Sequence, residues 1–507
     1  MAQVRHKWFV LAGIMLGLFL SALEATAIAT AMPTVVSSLG GLAIYSWVFS
    51  GYLLSSTVTM PLWGRLSDLH GRRPLFFAGV LTFIAGSALC GLSRNMGQLV
   101  LFRLIQGIGA GAVMPLTFTI IGDIYSLEQR TKMQGVFSGV WGFASLVGPM
   151  VGGYLADHAS WRWVFYVNIP FGLLSILLIA IGLKKEEPRE AGRASLDVVG
   201  TALFTISAAS LLLGLSIVQH NLFAGSFLFL TFLLLIFLYV RMEEKAEHPL
   251  VPLKLFAIRM FRAAQGSGLF SGMAMFGVIS FVPLYMQSVL GSSATEAGRV
   301  LIPFMLTWVV FSIAGARILM KAGYRSVILA GGVILVSGFV LMSGLDAASS
   351  PRTVMLCVSI QGAGMGFSMA PFLIAVQSAV PKDLMGAATS STQFVRTIGG
   401  AIGVALLGAT LSLHLQASAD ALSGGAHDPR SALEEALRHP DNVITPAGRR
   451  ELAPEVLAAV TLEMANGLRK VFRVSLAFAL LSFLAAFAVP DGSVHSHAWK
   501  PPEGGVQ

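Results

Sequence analysis

Long apolar segments alternate with short polar segments along almost the whole chain of 507 residues. An α-helix needs about 20 mostly apolar residues to cross a lipid bilayer, and the apolar segments have about this length. The pattern therefore predicts an all-α integral membrane protein. The first segment runs on past Leu23 to Met32 with no cleavage site typical of a signal peptide, so we expect it to be retained. The fourteen predicted spans are residues 8–32, 45–63, 75–92, 97–122, 133–156, 163–183, 197–218, 222–240, 264–289, 298–319, 325–345, 354–378, 386–414 and 470–489.

The composition agrees with a membrane protein. Hydrophobic residues make up 55% of the chain and charged residues 12%, whereas a soluble protein carries roughly 25% charged residues. The net charge of +9 comes from Lys and Arg residues that concentrate in every second connection between predicted helices. By the positive-inside rule, these connections and both termini are cytoplasmic. The basic charge thus indicates orientation and contact with anionic headgroups, and not a nucleic-acid partner.

Two polar segments and two cysteines complete the outline. Cys90 and Cys357 lie in apolar segments, and no spacing typical of disulfides or metal ligands occurs, so we expect no cofactor. The long polar segment Gln416–Leu468 is predicted to lie outside the cell and to contain a short helix at Ser431–Arg438. The tail, residues 491–507, is short and rich in Pro and Gly and is predicted to be disordered.

Three stretches recur at an offset of about 250 residues, which indicates an internal repeat. Gln106–Pro115 is echoed by Gln361–Pro371, and Gly64–Pro74 is echoed by Ala316–Arg325. Glycines of the fifth predicted helix also align with small residues of the thirteenth. The repeat predicts two pseudo-symmetric six-helix bundles with two helices inserted between them, which is the architecture of rocker-type transporters. The predicted domains are the N-terminal bundle (1–190), the inserted helices with a cytoplasmic loop (191–262), the C-terminal bundle with its external loop 416–468 (263–490) and the tail (491–507).

Several of these stretches resemble the motifs of a known family. Gly64–Pro74, Arg103–Gly111 and Gly148–Gly153 are similar to signature motifs of the major facilitator superfamily. Together with fourteen helices, Leu23–Pro33 and Trp161–Pro170 resemble its fourteen-helix drug:proton antiporter family. The resemblance implies a proton-coupled multidrug efflux antiporter, of the kind that confers antibiotic resistance, which exports lipophilic, often cationic compounds across a bacterial-type cytoplasmic membrane.

Proton coupling requires an acidic or imidazole group inside the membrane whose proton affinity depends on its neighbours. Glu24 is the only acidic residue well inside a predicted helix, at a position where the related family usually has Asp. We predict that Glu24 carries the proton and that Arg103, at a similar depth, is its partner. Arg103 shares a helix face with Gln106. The alternative for Glu24 and Arg103 is a purely structural polar contact between helices.

The hairpin between the second and third predicted helices carries charges that cannot lie in hydrocarbon, so it is predicted to be cytoplasmic. Gly64 and Gly71 are expected to let its backbone reverse. The resemblance implies that Asp68, Arg72 and Asp123 form a charge relay, which latches helix two against helix eleven.

Two further features bear on gating. The C-terminal echo of the hairpin has Met320 and Tyr324 in place of the Asp and the Arg, so the latch is predicted in the first copy alone. Gly148 and Pro149 lie in the fifth predicted helix among glycines spaced four apart, which favour close helix packing. The resemblance adds the alternative that a bend there seals the two halves against leakage.

Aromatic and Met side chains suit a cavity for lipophilic compounds. The substrate-binding candidates, with polar residues of the same helices, are Trp47, Tyr52, Gln106, Trp141, Phe143, Met275, Trp308, Gln361, Gln393, Phe394 and Arg396. The alternative for the aromatic and Met residues is a place in the core or against lipid. Arg396 is the one basic residue deep in the C-terminal half. It could bind an anionic group, pair with Glu24 or donate to carbonyls of a neighbouring helix.

Two rival functions stay open, namely export of an anionic or amphiphilic molecule, such as a lipid, and a non-transporting sensor. We do not expect an enzyme, because no nucleophile–base pair or metal cluster is visible. The Gly107–Gly111 run lies inside a predicted helix and follows no strand, so it is not a dinucleotide fingerprint. The expected partners are small lipophilic molecules, protons and the bilayer, with no nucleic acid, and we expect a monomer.

Overall fold

The fold is that of a computed structural model, which describes residues 6–39, 45–184, 198–217, 221–244, 249, 252–292, 294–421, 430–438, 449 and 452–491. Regular secondary structure in these residues is helical, and no strand occurs among them. The α-helices are α1 (Lys7–Leu39), α2 (Tyr45–His70), α3 (Arg72–Leu92), α4 (Met96–Ile124), α5 (Leu127–His158), α6 (Trp163–Tyr166), α7 (Asn168–Gly182), α8 (Val198–Ile217), α9 (Leu222–Glu243), α10 (Arg259–Ser288), α11 (Ala294–Arg299), α12 (Ile302–Ser343), α13 (Pro351–Ala379), α14 (Met385–Asp420), α15 (Arg430–Arg438) and α16 (Pro454–Ala486). Short 3-10 helices cover Leu253–Ala257 and Lys382–Leu384.

Nine stretches of the described chain are helical, long and apolar enough to cross a membrane. They are Lys7–Ile28, Arg72–Leu92, Met96–Ile124, Trp163–Gly182, Leu222–Glu243, Arg259–Ser288, Glu296–Ser343, Pro351–Ala379 and Lys382–Asp420. The prediction of an all-α membrane protein is confirmed, whereas the count of fourteen spans stays a prediction. The tenth and eleventh predicted helices correspond to the two parts of α12, which the non-helical residue Gly323 separates.

Polar side chains define several helix starts between the apolar segments. The side chains of Asn95 and Asn221 accept hydrogen bonds from backbone N–H groups in the first turns of α4 and α9. Ser126 and Gln129 form a reciprocal capping box at the start of α5. Such caps satisfy N–H groups that lack partners within the helix, and each typically stabilises a helix by about 1 kcal/mol.

The hairpin between α2 and α3 is tighter than predicted. Helix α2 continues through the charged residues to His70, and the reversal is made at Gly71, whose φ is 88°. The expectation that Gly64 is a turn residue is wrong, because Gly64 lies inside α2. The absence of a side chain at Gly64 allows close packing instead, since a Cβ there would collide with Ser390 Oγ and lie 2.7 Å from Gly386 O.

The chain forms two compact units. Among the described residues, the first comprises those up to Arg262 together with Leu373–Phe394, and the second comprises Ala263–Phe372 and residues 395–491. Helices α8 and α9, which are predicted to be inserted, therefore belong to the first unit. They pack together there, and the ring centres of Phe204 and Tyr239 are 5.3 Å apart. Most of the large apolar side chains of α9 are exposed, as expected for a helix that faces lipid. The predicted domain boundaries stay a prediction.

The polar segment near the C-terminus is partly helical. Helices α14 and α16 extend into it as far as Asp420 and back to Pro454, and Ser418 Oγ donates to Glu463 Oε2 at 2.7 Å between these extensions. Helix α15 confirms the predicted short helix, and its Leu437 side chain is buried in the apolar core of the second unit.

Candidate functional site

A buried ion pair joins α1 to α4 in the first unit. Arg103 Nη1 donates to Glu24 Oε1 at 2.5 Å, and each residue is 1% exposed. The structure thus brings together the two residues that the sequence predicts as partners. Removing two charges from water costs several kcal/mol per ion, so a pair of this kind persists only where further hydrogen bonds satisfy both groups.

Those hydrogen bonds come from three neutral side chains that close a ring around the pair. Arg103 Nη1 also donates to Gln106 Oε1 at 2.7 Å, and Gln106 Nε2 donates to Ser87 Oγ at 3.1 Å. Asn168 Nδ2 donates to Ser87 Oγ at 2.9 Å and to Glu24 Oε2 at 2.5 Å. We call these five residues of α1, α3, α4 and α7 the polar ring. Both carboxylate oxygens of Glu24 accept a hydrogen bond within it.

Arg103 has further partners outside the polar ring. Its Nε donates to the backbone oxygen of Val48 at 3.1 Å, and its Cζ lies 4.1 Å from the centre of the Tyr52 ring. Stacking of a guanidinium on an aromatic face is a favourable cation–π contact. Arg103 is therefore held by α2 as well as by α1 and α4.

A glycine allows α3 and α4 to come close enough to form the polar ring. A Cβ at Gly86 would lie 2.5 Å from the backbone N and Cα of Gln106, which is far inside van der Waals contact. Because Ser87 follows Gly86 directly, this close approach places its hydroxyl within reach of the Gln106 amide. Ser87 Oγ also donates to Phe165 O at 2.9 Å.

Sequence reasoning missed Asn168 and Ser87. Asn168 stands in the Trp161–Pro170 stretch, and the resemblance of that stretch to a family motif assigns no role to the amide. A buried Asn in an apolar helix is a usable signal, since a buried polar group requires hydrogen-bond partners. Ser87 carries a weaker signal, because Ser can satisfy its hydroxyl within its own helix.

The charged residues of the hairpin also lie together. Arg72 Nη1 donates to Asp68 Oδ1 at 2.5 Å, and Arg72 Nε donates to Asp123 Oδ2 at 2.8 Å. Arg72 Nη1 further donates to Ser67 Oγ at 3.0 Å. These contacts link the ends of α2, α3 and α4. Both Asp68 and Arg72 are buried.

Asp68 additionally caps the start of α14, which lies in the first unit. Gly386 N donates to Asp68 Oδ1 at 3.0 Å, and Ala387 N donates to Asp68 Oδ2 at 2.8 Å, in the first turn of α14. A carboxylate at a helix N-terminus satisfies orphan N–H groups and interacts favourably with the helix dipole. The observed partner is thus the start of the thirteenth predicted helix. The expected latch of helix two against helix eleven stays a prediction.

Gly148 packs α5 closely against α1. A Cβ at Gly148 would collide with Thr26 Oγ1, and Thr26 Oγ1 donates to Ala144 O at 3.3 Å. The close-packing alternative is therefore visible at Gly148, whereas the sealing role stays a prediction. Pro149 lies in α5, but its side chain is outside the described part of the structure.

The substrate-binding candidates are dispersed. Tyr52 and Gln106 contact Arg103, as described above. In the first unit, Trp47 and Trp141 are partly buried and Gln393 is buried. Phe143 is 59% exposed, and the centre of its ring lies 6.0 Å from that of Phe19. The ring centres of Phe394 and Phe204 are 5.0 Å apart. In the second unit, Met275 is buried in the core, Trp308 packs against it, and Gln361 Nε2 donates to Met342 Sδ at 3.3 Å.

Arg396 is partly buried in the interior of α14. Among the residues that the structure describes, its guanidinium has neither a hydrogen-bond acceptor nor a carboxylate partner. The expectation that it donates to carbonyls of a neighbouring helix thus has no support in the described residues. An anionic ligand stays a proposal.

Comparison with known proteins agrees with the motifs. A family model described as Major Facilitator Superfamily matches residues 14–404. The chain is 37% identical over 410 residues to "Multidrug transporter protein MdtP" of Bacillus subtilis (strain 168), with 80% of this chain and 75% of that protein covered. It is 33% identical over 475 residues to "Multidrug resistance protein 3" of the same organism, with 92% of each covered.

Solved structures support the same fold. The human organic anion transporter MFSD10 (TETRAN) superposes with a TM-score of 0.61 at 17% identity, over 94% of this chain and 99% of that chain. The proton:xylose symporter XylE superposes with a TM-score of 0.60 at 14% identity, over 96% of each chain. At such identities the likeness concerns the fold alone. The relatives carry names of transporters, not of enzymes. The predicted family is thus confirmed, and this multi-pass membrane protein belongs to the Major Facilitator Superfamily.

Proposed function

We propose that the protein is a proton-coupled antiporter that exports lipophilic, cationic compounds across the cytoplasmic membrane by alternating access, with both termini in the cytoplasm. The names of the multidrug transporters of Bacillus subtilis support drug efflux. The observation that carries the coupling mechanism is the buried pair of Glu24 and Arg103 within the polar ring. Burial of an acid among apolar helices costs free energy, so an ionisable residue at such a position is a candidate for a functional role.

When Glu24 becomes neutral, the guanidinium of Arg103 still has other partners in and around the polar ring. Protonation of Glu24 weakens its bond to Arg103 Nη1, because the carboxyl becomes neutral. Arg103 then keeps Gln106 Oε1, Val48 O and the Tyr52 ring as partners. We therefore assign to Glu24 the role of proton carrier and to Arg103 the role of its counter-charge. Proton and substrate each select the conformation that binds them better.

The Asp68 contacts suggest how the cycle is gated. Release of α14 from Asp68 would leave two N–H groups at the helix start without their carboxylate. Asp68, Arg72 and Asp123 are thus proposed to form a latch that holds the cytoplasmic end closed, with Gly64 providing the close contact and Gly71 the tight turn. The remaining candidate residues are proposed to line the substrate path, and Gly148 with Pro149 to limit leakage.

The proposal is tested in proteoliposomes that contain the purified full chain and a cationic dye. A proton gradient should drive dye transport, and Glu24→Gln should abolish the dependence on that gradient. Glu463→Gln is a matched control, because Glu463 is an acid of the polar extension in α16. The proton role is wrong if Glu24→Gln transports at the parental rate with unchanged pH dependence.

A second candidate, export of an anionic amphiphile, is favoured by Arg396 alone. A guanidinium with no partner among the described residues suits a carboxylate or phosphate group of a ligand. Arg396→Ala should then weaken binding of an anionic amphiphile more than binding of a matched cationic one. Arg352→Ala, at an exposed site in α13, serves as the control. An unchanged affinity for the anion would count against this candidate.

A further inference from the structure

The amide of Asn168 uses only its donors. Asn168 is fully buried, and both N–H groups of Nδ2 are engaged, by Glu24 Oε2 at 2.5 Å and by Ser87 Oγ at 2.9 Å. Its Oδ1 is also buried and has no hydrogen-bond partner among the described residues. Burying an unsatisfied carbonyl oxygen costs free energy, so this arrangement is not the best one for stability alone.

We propose that Asn168 is a positioning residue that sets the pH at which Glu24 takes up its proton. The inference rests on the proposed role of Glu24 as proton carrier. A donor aimed at a carboxylate oxygen stabilises the ionised form, since an ionised acceptor makes a hydrogen bond about twice as strong as a neutral one. The neutral carboxyl gains less from the same donor. Asn168 thus lowers the pH at which Glu24 takes up its proton.

Glu24 also has charged and titratable neighbours, which Asn168→Ala leaves in place. The charged or titratable groups that face it are Arg103 from α4, Tyr52 from α2 and Cys90 from α3. Arg103 Nη1 donates to Oε1 and Asn168 Nδ2 donates to Oε2, and the neutral amide of Gln106 is a further neighbour of the carboxylate. Tyr52 stacks on the Arg103 guanidinium, and Cys90 Sγ lies 3.7 Å from Gln106 Oε1.

Ser87 holds the amide in this orientation. Its hydroxyl donates to Phe165 O and accepts from the amides of Asn168 and Gln106. With its hydrogen directed at a backbone oxygen, Ser87 presents lone pairs to both amides. The Asn168 amide is thereby kept with Nδ2 toward Glu24.

The same two helices offer a matched control. Ser175 Oγ in α7 donates to Gly13 O in α1 at 2.7 Å, so Ser175→Ala removes a buried hydrogen bond between these helices. Gly13 precedes Glu24 by about three helical turns. A purely structural effect of weakening the contact between α1 and α7 should therefore be similar in Asn168→Ala and Ser175→Ala.

The experiment follows the infrared band of the protonated Glu24 carboxyl in the full-length protein in lipid nanodiscs, as pH is varied. The band is identified as the one that Glu24→Gln removes. Asn168→Ala should raise the midpoint of its titration by about 1 pH unit, a tenfold change in proton affinity. Ser87→Ala should shift it in the same direction by less, and it gives a second route if Asn168→Ala does not fold. Ser175→Ala should leave the midpoint unchanged.

The outcomes separate this inference from the proposed function. If Glu24→Gln removes no titrating band, Glu24 is not the proton carrier, and the inference falls with that proposal. If the band titrates but its midpoint in Asn168→Ala and Ser87→Ala equals that of the parent, the role of Asn168 alone is overturned. Equal shifts in Asn168→Ala and Ser175→Ala would likewise overturn it, because they would indicate a general weakening of the packing between α1 and α7.

Discussion

Gly71 and Gly323 adopt the same extended backbone conformation at positive φ, with φ 88° and ψ 161° at Gly71 and φ 79° and ψ 167° at Gly323. Gly71 separates α2 from α3, and Gly323 interrupts α12. Residues with a Cβ rarely adopt positive φ, so the two sites share a specific requirement. The match in geometry, at an offset of about 250 residues, supports the internal repeat that the sequence pattern indicates.

The two copies of this turn differ in their charges. In the first copy Asp68 and Arg72 are paired, whereas Met320 and Tyr324 occupy the corresponding positions of the second copy. The Asp–Arg ion pair of the first copy therefore has no counterpart at the corresponding positions of the second.

Asp68→Asn should impair transport. The variant keeps the size of the side chain, but it loses the charge that Arg72 faces, and an NH₂ group replaces one of the two oxygens that accept from Gly386 and Ala387. Hydrogen bonds to charged groups contribute roughly 1.5–3 kcal/mol each, so we expect about a tenfold loss of transport rate. The initial rate of dye transport in proteoliposomes measures it.

Lys321→Gln is the matched control for this prediction. Lys321 is an exposed residue of the second copy, and its charge should contribute little. Equal losses of transport in Asp68→Asn and Lys321→Gln would contradict a latch that depends on the first copy.

Gly71→Ala and Gly323→Ala should each lower the thermal stability of the protein. The cost of placing a residue with a Cβ in this sparsely populated conformation is roughly 1–3 kcal/mol. Gly139→Ala is the control, because Gly139 lies within α5 and a Cβ there would meet no atom within 4 Å. Ala is the better helix former by about 1 kcal/mol, so this variant should be as stable as the parent or more stable. Melting in detergent compares the three, and a loss in Gly139→Ala equal to the others would contradict the backbone argument.

The sequence was sufficient to place most helices but not their ends. The apolar runs mark where hydrocarbon requires a helix, and backbone hydrogen bonding continues beyond them into polar residues. Helix α2 thus reaches His70, and α14 reaches Asp420. The break at Gly323 is brief, so helical structure runs on either side of it without a connecting loop.

The candidate site was likewise predictable only in part. The partnership of Glu24 and Arg103 follows from counting residues along two helices, because both lie at a similar depth and a buried charge requires a counter-charge. The contact of Asn168 with Glu24 depends on the rotation of α7 about its axis, which residue spacing within a single helix does not define. The partners of Asp68 are backbone N–H groups, and these leave no trace in side-chain patterns.

Gly86→Ala should strongly disturb proton coupling, although it adds only one methyl group. Its Cβ would meet the backbone of Gln106, which cannot move without shifting α4, and with it Arg103. Misplacing a functional group by about 1 Å can reduce a rate about a hundredfold. Gly298→Ala, where a Cβ meets no atom within 4 Å, is the control. Proton release on dye binding, measured with a pH indicator, checks the prediction, and a parental signal in Gly86→Ala would contradict it.

Arg103→Lys should fail to restore the function of Arg103 although it keeps the charge. An ammonium lacks the fork that allows Arg103 to donate from Nη1 to Glu24 and Gln106 while Nε donates to Val48 O. It also lacks the planar surface that stacks on Tyr52. Loss of two or more such bonds should reduce proton-driven dye transport by roughly tenfold or more. Tyr52→Phe, which keeps an aromatic ring beneath the guanidinium, should retain most of the transport. Parental rates in Arg103→Lys would show that charge alone is sufficient at this position, and that the hydrogen-bonding geometry of the polar ring is not required.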